Sequence, residues 1–249
     1  MLQPVILAAG KGMRMGSELP KTLYPVGGKP MLERILSAFE EVGLPKPIIV
    51  VGFGKEHIMS RYKGFTYAVQ TELTGTASAV KTALAYVPEG TEGVLVMYGD
   101  QPFVRRESLE ALKVLWEKER PTFIQSIVTV PDFKDWRSVF LHFGRVVRDA
   151  KGKVSGVIEY KNADEAQRAS GEVNPGMCTI ELGWLKGALP RVGPNPVNGE
   201  FYLTDLVAFA HADGKQIETI ELEPKEAIGV NSTQDATHAE LFSDSTPVV

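Results

Sequence analysis

The chain has 249 residues, enough for one large domain or two modest ones with a core of their own. It carries 27 Lys and Arg against 31 Asp and Glu, a net charge of −4, so the basic excess typical of nucleic-acid binding is missing. The single cysteine, Cys178, excludes an intrachain disulfide, and the four histidines are too widely spaced for a familiar zinc site. The opening apolar run, residues 5–9, has no basic leader and is far shorter than a membrane span of roughly 18 residues, so we expect a soluble, cytoplasmic protein.

Short apolar runs alternate with amphipathic stretches through the first half of the chain. The apolar runs predict strands at 5–9, 48–51, 67–70, 94–97 and 122–130. The amphipathic stretches predict helices at 31–42, 57–62, 76–86 and 108–119. Strand and helix alternation is typical of a parallel sheet with right-handed crossovers. We therefore predict an α/β fold with a Rossmann-like open, mostly parallel twisted sheet flanked by helices, which binds ligands at the carboxyl ends of its strands.

The pattern changes after residue 130. The stretch 139–147, with Gly144 at its centre, predicts a hairpin. Further strands, predicted at 154–159, 178–181 and 217–222, would extend the sheet with mixed strand directions. A last helix is predicted at 232–242, with Asn231 or Ser232 as its cap.

A glycine-rich segment, residues 7–16, directly follows the first predicted strand. Its small residues let backbone N–H groups approach a base or a phosphate, and Lys11, Arg14 and the later Lys21 add cationic donors. An ordinary strand-to-helix turn with solvent-facing basic residues would show the same short pattern. The spacing fits neither a dinucleotide fingerprint nor a Walker loop, and there is no G-x-S-x-G motif. Hydride transfer, ordinary ATP hydrolysis and α/β-hydrolase chemistry are therefore not indicated.

Several segments together resemble one enzyme family. Residues 7–15, 19–21 and 25–32 resemble the signature of the sugar-1-phosphate nucleotidyltransferases. They are most similar to the N-acetylglucosamine-1-phosphate uridyltransferase domain of the bifunctional bacterial enzyme that makes UDP-N-acetylglucosamine. Further segments match in the same order along nearly the whole chain: 70, 75–76, 98–100, 143–145, 158–161, 174, 199–205 and 229–231.

The resemblance implies a reaction in which a sugar 1-phosphate oxygen attacks the α-phosphorus of a nucleoside triphosphate and pyrophosphate leaves. Two strongly anionic reactants must be aligned, so catalysis should depend on positioning and charge neutralisation. By resemblance, Arg14 and Lys21 are catalytic cations, and Asp100 is a third catalytic residue. Asp100 and the distant Asn231 match the pair that holds Mg²⁺ in the family. Judged alone, Asp100 would equally fit a turn cap, and Asn231 a cap of the last helix.

The resemblance also implies binding residues for each substrate. The nucleotide is expected to contact Leu7, Ala8, Ala9, Gly10, Gln70, Gly75 and Thr76. The sugar is expected to contact Tyr98, Gly99, Gly144, Glu159 and Asn174. Glu159 would also fit a solvated carboxylate at a strand end, and residues 201–205 are expected chiefly to pack and to position loops. We expect a single domain over 1–242, with a nucleotide-binding half at 1–130, a sugar-binding half at 131–230 and a frayed tail at 243–249.

Three positions depart from the family's pattern, and each concerns substrate identity. Ala77-Ser78 stand where glycine and histidine are usual, Gln101 replaces a small or apolar residue, and Pro175 stands where threonine is usual. Recognition of one hydroxyl or acetamido group can depend on a single buried partner, so the sugar stays open. Nothing after residue 231 resembles the family's acetyl-transferring β-helix, so we expect no acetyltransferase activity, and either a monomer or a different oligomer.

The leading hypothesis is a uridylyltransferase that uses UTP, Mg²⁺ and an N-acetylhexosamine 1-phosphate. The close alternative is a nucleotidyltransferase of the same fold that uses glucose 1-phosphate, dTTP or CTP. A catalytically silent binding module is a third hypothesis, although its expected mark is loss of Arg14, Lys21 or Asp100, and all three are present. Small molecules are the expected partners, rather than nucleic acid or a membrane.

Overall fold

A computed structural model describes residues 1–10 and 19–243 of the chain. Its strands are β1 (Leu2–Ala8), β2 (Pro25–Val26), β3 (Lys29–Pro30), β4 (Ile48–Val51), β5 (Thr66–Val69), β6 (Gly93–Tyr98), β7 (Phe123–Thr129), β8 (Gly144–Arg148), β9 (Val154–Ile158), β10 (Glu172–Asn174), β11 (Cys178–Glu181) and β12 (Ile217–Glu221). Its α-helices are α1 (Met31–Glu41), α2 (Lys55–Arg61), α3 (Thr76–Leu84), α4 (Arg106–Glu119), α5 (Glu165–Ala169), α6 (Leu182–Ala188), α7 (Asp205–Ala212) and α8 (Thr233–Ser243). None of the helices in these residues is both long enough and apolar enough to cross a membrane.

The main sheet has the order β5-β4-β1-β6-β11-β7-β10-β8-β9, and β12 pairs with β7. Strands β5, β4, β1 and β6 form a parallel block, and β11 lies antiparallel between β6 and β7. The remaining ladders make β7, β8 and β12 point the same way as this block, whereas β9, β10 and β11 point the opposite way. The predicted α/β fold with an open, mostly parallel sheet is confirmed over the described residues, as are the mixed strand directions of the second half.

Apolar side chains fill both faces of this sheet. Ile6 of β1 belongs to a core shared with α1 and α4, where Phe39 and Trp116 are almost fully buried. The neighbouring Val5 belongs to a second core, on the side of α3, α6 and α7, with Leu206 among its buried members. Successive side chains of a strand point to opposite faces, so strands covered on both sides read as continuous apolar runs. This arrangement explains why the sequence pattern predicted the first-half strands well.

The predicted hairpin at 139–147 is wrong. Residues Asp135–Phe140 instead form a 3-10 helix. Phe140 is fully buried and packs edge-on against Trp136 and Phe143, with ring centroids 6.2 and 5.2 Å away. Burial of this aromatic cluster stabilises the helical turn against the extended alternative.

Gly144 begins β8 rather than forming a turn. A Cβ at this position would lie 2.9 Å from Cγ1 of Val157, so a larger residue would force the side chain of Val157 on the paired strand to shift. The hairpin of this region joins β8 to β9, and Asp149 shapes its turn. The Asp149 carboxylate accepts hydrogen bonds from the backbone N–H groups of Lys151 and Lys153 at 2.8 and 2.9 Å. Aspartate often forms turns through such hydrogen bonds, so Asp149 was the sequence signal for a turn at this position.

Candidate active site

The carboxyl ends of β5, β4, β1 and β6 lie along one edge of the sheet, because the four strands are parallel neighbours. Gln70 directly follows β5, Gly10 lies two residues beyond β1, and Asp100 lies two residues beyond β6. Open α/β sheets bind ligands at this edge. The fold therefore brings predicted nucleotide-binding and catalytic residues from separate parts of the chain to one place.

The described part of the glycine-rich segment, residues 7–10, is held between the loops that follow β4 and β6. The Leu7 carbonyl accepts a 2.9 Å hydrogen bond from the N–H of Gly99, and the Ala9 carbonyl accepts a 3.3 Å bond from Phe53. Ala8 and Ala9 are buried. The rest of this segment, with the predicted catalytic Arg14, lies outside the described residues, as does the predicted tail apart from the end of α8.

Lys21, Asp100 and Asn231 meet beyond the end of β6. The Lys21 ammonium forms an ion pair with the Asp100 carboxylate and donates a 2.8 Å hydrogen bond to Oδ1 of Asn231. The side chains of Lys21 and Asp100 are only 17% and 13% exposed, so water screens their charges less than at the surface. The N–H of Val230 donates to the Asp100 carbonyl at 2.9 Å, which ties the segment before α8 to this loop.

The oxygens of Asp100 and Asn231 fit a magnesium site. Both contact the same ammonium group, so they converge on a single cation. One carboxylate and one amide oxygen suit Mg²⁺, which takes further ligands from water and phosphate. The Asp100 carboxylate pairs with Lys21 in this arrangement, so a turn-cap role does not account for its position.

The alternative role of Asn231 as the cap of α8 is wrong. The Ser232 hydroxyl accepts a 3.1 Å hydrogen bond from the N–H of Asp235, which is the bond that a capping side chain makes. The Asp235 carboxylate in turn accepts from the N–H of Asn231 at 2.9 Å. Ser232 therefore caps the helix, and the Asn231 side chain contacts Lys21 instead.

Gln70 is buried at the end of β5 and is 7% exposed. Its backbone N–H donates to the Val51 carbonyl at 2.8 Å. Its side-chain nitrogen donates to Oγ of Ser78 at 2.7 Å and to the Gly75 carbonyl at 3.3 Å. The predicted nucleotide residues Gln70 and Gly75 are thus in contact.

The loop that starts α3 packs closely on the segment 201–203. Gly75 has φ +117°, and a Cβ there would lie 2.4 Å from the Phe201 carbonyl oxygen, so only glycine fits. The Phe201 carbonyl accepts from the N–H of Ala77 at 2.9 Å, and the Thr76 hydroxyl accepts from the N–H of Leu203 at 2.9 Å. The expected loop-positioning role of this segment agrees with these contacts.

Four of the five predicted sugar-binding residues lie around a second part of the same sheet edge: Tyr98, Gly144, Glu159 and Asn174. Asn174 pairs with Gly144 across β10 and β8, and Glu159 lies one residue beyond the end of β9, which pairs with β8. Gly176 approaches Tyr98 so closely that a Cβ there would lie 1.9 Å from Cε2 of the ring. The fifth residue, Gly99, lies between Tyr98 and Asp100 in the chain and so joins the predicted sugar-binding residues to the predicted metal ligands.

Asn174 is 9% exposed, and across residues 1–10 and 19–243 its side chain makes two hydrogen bonds, both at its oxygen. Oδ1 accepts from Nε2 of Gln125 and from the N–H of Gly176, each at 2.8 Å. These two donors fix the amide orientation, and within the described residues its nitrogen has no acceptor. Gln125 and Gly176 were not predicted as site residues. The available signal for Gln125 was a polar residue inside an apolar strand.

Glu159 is half-buried and accepts a 2.8 Å hydrogen bond from the Thr204 hydroxyl. Burial raises the pKa of Glu159, because a low-dielectric surrounding disfavours the charged form. Burial, and then the negative charge of Glu159, also raise the pKa of Tyr98. The alternative of a freely solvated strand-end carboxylate is therefore wrong.

Comparison with known proteins places the chain in a family. Residues 4–158 match the model of the MobA-like NTP transferase domain. The chain belongs to this family. The bifunctional protein GlmU of Cellvibrio japonicus is 36% identical over 246 residues, which cover 97% of this chain and 52% of GlmU. GlmU of Neisseria meningitidis serogroup B is 37% identical over 242 residues, which cover 96% of this chain and 50% of GlmU. The chain thus spans about half the length of these relatives.

Solved structures share the fold of this NTP transferase domain. UDP-glucose pyrophosphorylase in complex with UDP-glucose superposes with a TM-score of 0.78 at 18% identity, covering 99% of this chain and 100% of that one. A Bacillus anthracis protein assigned as a glucose-1-phosphate thymidylyltransferase gives a TM-score of 0.78 at 17% identity, covering 100% and 98%. The family resemblance inferred from the motifs is confirmed.

Two of the three departures from the pattern of the nucleotidyltransferases lie against each other. Gln101 is 4% exposed, and its side-chain nitrogen donates to the Pro175 carbonyl at 2.6 Å and to the Ala227 carbonyl at 3.5 Å. This side chain therefore joins the loop after β6 to Pro175, which directly follows Asn174 at the end of β10. In this NTP transferase, the changes at 101 and 175 form one connected feature beside the predicted sugar residues.

Proposed function

We propose that this protein is a uridylyltransferase that converts UTP and an N-acetylhexosamine 1-phosphate into a UDP-N-acetylhexosamine and pyrophosphate, with N-acetylglucosamine 1-phosphate as the first candidate acceptor. The observation that carries the proposal is the meeting of Lys21, Asp100 and Asn231. Membership of the NTP transferase family and the identity of 36–37% to GlmU proteins support it.

In the proposed reaction, an oxygen of the sugar 1-phosphate forms a bond to the α-phosphorus of UTP. The bond from that phosphorus to the bridging oxygen breaks, and pyrophosphate leaves with the electron pair. No nucleophile from the protein takes part, so its residues act by orientation and by charge. Lys21, shielded from water, neutralises negative charge on the phosphates, and Arg14 is proposed to do the same. Mg²⁺ held by Asp100 and Asn231 would supply further neutralisation of the phosphate oxygens.

The sugar is proposed to bind between Glu159 and Asn174. The Asn174 nitrogen is a free donor within the described residues, and the Glu159 carboxylate is an acceptor with one bond from Thr204. Asn174 ends β10 and Glu159 directly follows β9, and both strands pair with β8, which lies between them. This donor and this acceptor can together bind sugar hydroxyls. Gly144 keeps the space beside Asn174 free of a side chain.

The test is pyrophosphate release from UTP, Mg²⁺ and N-acetylglucosamine 1-phosphate, with glucose 1-phosphate as a competing acceptor. We expect transfer to the N-acetyl sugar and a loss of at least about 100-fold in the Asp100→Asn variant. Asp135→Asn is the matched control, because Asp135 is exposed in the 3-10 helix and asparagine tolerates its φ of 49°. Turnover only with another sugar or triphosphate would overturn the substrate assignment. No turnover across a panel of both would favour a silent binding module.

A further inference from the structure

Ser78 is the departure from the family pattern that contacts a predicted nucleotide residue. Its hydroxyl has three hydrogen-bond neighbours: the Gly75 carbonyl at 2.9 Å, the Gln70 side-chain nitrogen at 2.7 Å and the Thr74 hydroxyl at 2.9 Å. A serine hydroxyl has one proton to donate and can accept two hydrogen bonds. A carbonyl can only accept, so the Ser78 proton goes to Gly75, and the Ser78 oxygen accepts from Gln70 and Thr74.

This network fixes which end of the Gln70 amide faces it. The amide nitrogen also donates to the Gly75 carbonyl at 3.3 Å, and a reversed amide would place two oxygens against each other. Gln70 therefore turns its nitrogen toward Ser78 and Gly75. Within the described residues, Oε1 of Gln70 has no donor and the N–H of Gly75 has no acceptor.

We propose that Ser78 is a positioning residue that sets base selection by holding Oε1 of Gln70 available to the base. This inference rests on the proposed function and on the expectation from the sequence that the nucleotide contacts Gln70 and Gly75, here with its base. Uracil carries a ring N–H at N3 flanked by two carbonyl oxygens, which complements the Gln70 oxygen and the Gly75 N–H. Cytosine has an acceptor at N3, which would face the Gln70 oxygen without a proton between them. Because Gln70 is 7% exposed, water compensates poorly for such a mismatch.

The test is the ratio of kcat/KM for UTP to that for CTP. The wild type should prefer UTP. Ser78→Ala should lower the ratio about tenfold or more, mainly through KM, because the Gln70 amide then loses its shorter hydrogen bond and is held only by the 3.3 Å bond to the Gly75 carbonyl. Ser78→Thr retains a hydroxyl and should restore most of the ratio. The matched control is Thr82→Val, because the Thr82 hydroxyl donates only to the Ser78 backbone carbonyl and not to its side chain.

Thr74→Val provides a second route if Ser78→Ala fails to fold. Loss of the Thr74 donor frees the Ser78 hydroxyl to rotate, so the ratio should fall in the same direction by a smaller factor. A wild type that prefers CTP would overturn the proposal. A ratio that stays unchanged in Ser78→Ala would also overturn it, while leaving the transfer activity intact.

Binding of UDP and CDP, measured by calorimetry without any transfer step, separates this proposal from the proposed function. If no sugar phosphate is turned over, yet UDP binds more tightly than CDP and Ser78→Ala removes the difference, then the positioning role holds and the proposed reaction is wrong. Equal binding of UDP and CDP by the wild type would refute the positioning role.

Discussion

Lys21 and Asn231 are 210 positions apart in the chain, and the ammonium of Lys21 donates a 2.8 Å hydrogen bond to the amide oxygen of Asn231. The same ammonium pairs with Asp100, which follows the strand β6. Three distant segments therefore meet in one group of charged and polar atoms. Because this group forms only in the folded protein, a variant could lose activity simply by unfolding. Each member is therefore tested by measuring both the activity and the stability of its variant.

Loss of the Lys21 cation should affect catalysis far more than folding. We expect Lys21→Ala to lower kcat by about 100-fold or more, because a shielded cation beside the phosphates stabilises developing charge. The measurement is steady-state pyrophosphate release together with denaturant unfolding. Lys63→Ala, at an exposed position, is the control. Turnover of Lys21→Ala at the wild-type rate would contradict the role given to Lys21.

Asn231 and Ser232 are neighbours whose replacement should have opposite effects. Asn231→Ala should reduce activity and raise the Mg²⁺ concentration needed for half-maximal rate, with little change in stability. Ser232→Ala should lower the free energy of unfolding by about 1 kcal/mol, because the cap of α8 is lost, and should leave the Mg²⁺ dependence unchanged. Mg²⁺ titrations and denaturant unfolding of both variants check this, and an exchange of the two outcomes would refute the assignment.

Gly176→Ala should destabilise the protein by about 1–3 kcal/mol and raise KM for the sugar phosphate. The added Cβ would lie 1.9 Å from the Tyr98 ring, and φ is +93°, where side chains are strained. Gly187→Ala is the matched control, because Gly187 lies inside α6 with nothing within 4 Å of an added Cβ. That control should be neutral or should stabilise the helix by up to about 1 kcal/mol. Equal effects of the two changes would contradict the close approach to Tyr98.

Glu159 should make stability depend on pH in a particular direction. Burial raises its pKa above the ordinary value of 4.5, so the folded state binds more protons than the unfolded state between the two pKa values. The contribution of Glu159 to stability should therefore fall as pH rises through that window. Glu159→Gln should have a weaker pH dependence there, measured by denaturant unfolding from pH 4.5 upward. Glu165→Gln, at an exposed site on α5, is the control. If the free energy of unfolding changed with pH in the same way for the wild type, Glu159→Gln and Glu165→Gln, the prediction would be contradicted.

Cys178 should resist alkylation in the folded protein. Its side chain is 4% exposed, and burial raises the pKa of the thiol to about 12, so the reactive thiolate is scarce at pH 8. We expect iodoacetamide labelling, followed by mass spectrometry, only after denaturant is added. Rapid labelling of the native protein would show that the strand β11 is accessible.

The sequence by itself determined the first half of the fold. Strands such as β1, β4 and β6 and helices such as α1 and α3 were predicted with small differences at their ends. Their patterns are local, because burial on both faces gives apolar runs in strands and a 3.6-residue period gives amphipathic helices. The sequence also determined that Asp100 follows a predicted strand and that Gln70 ends one, and parallel strands bring such residues to one edge.

Only the tertiary structure decided which partner each polar side chain takes. Asn231 and Ser232 are both good caps in isolation, and contact with Lys21 separates them. The stretch 139–147 reads as a hairpin until the packing around Phe140 and the pairing of Gly144 are known. Hydrogen bonds and aromatic packing between residues distant in the chain depend on how the helices and strands pack together. A local sequence pattern contains no information about that packing.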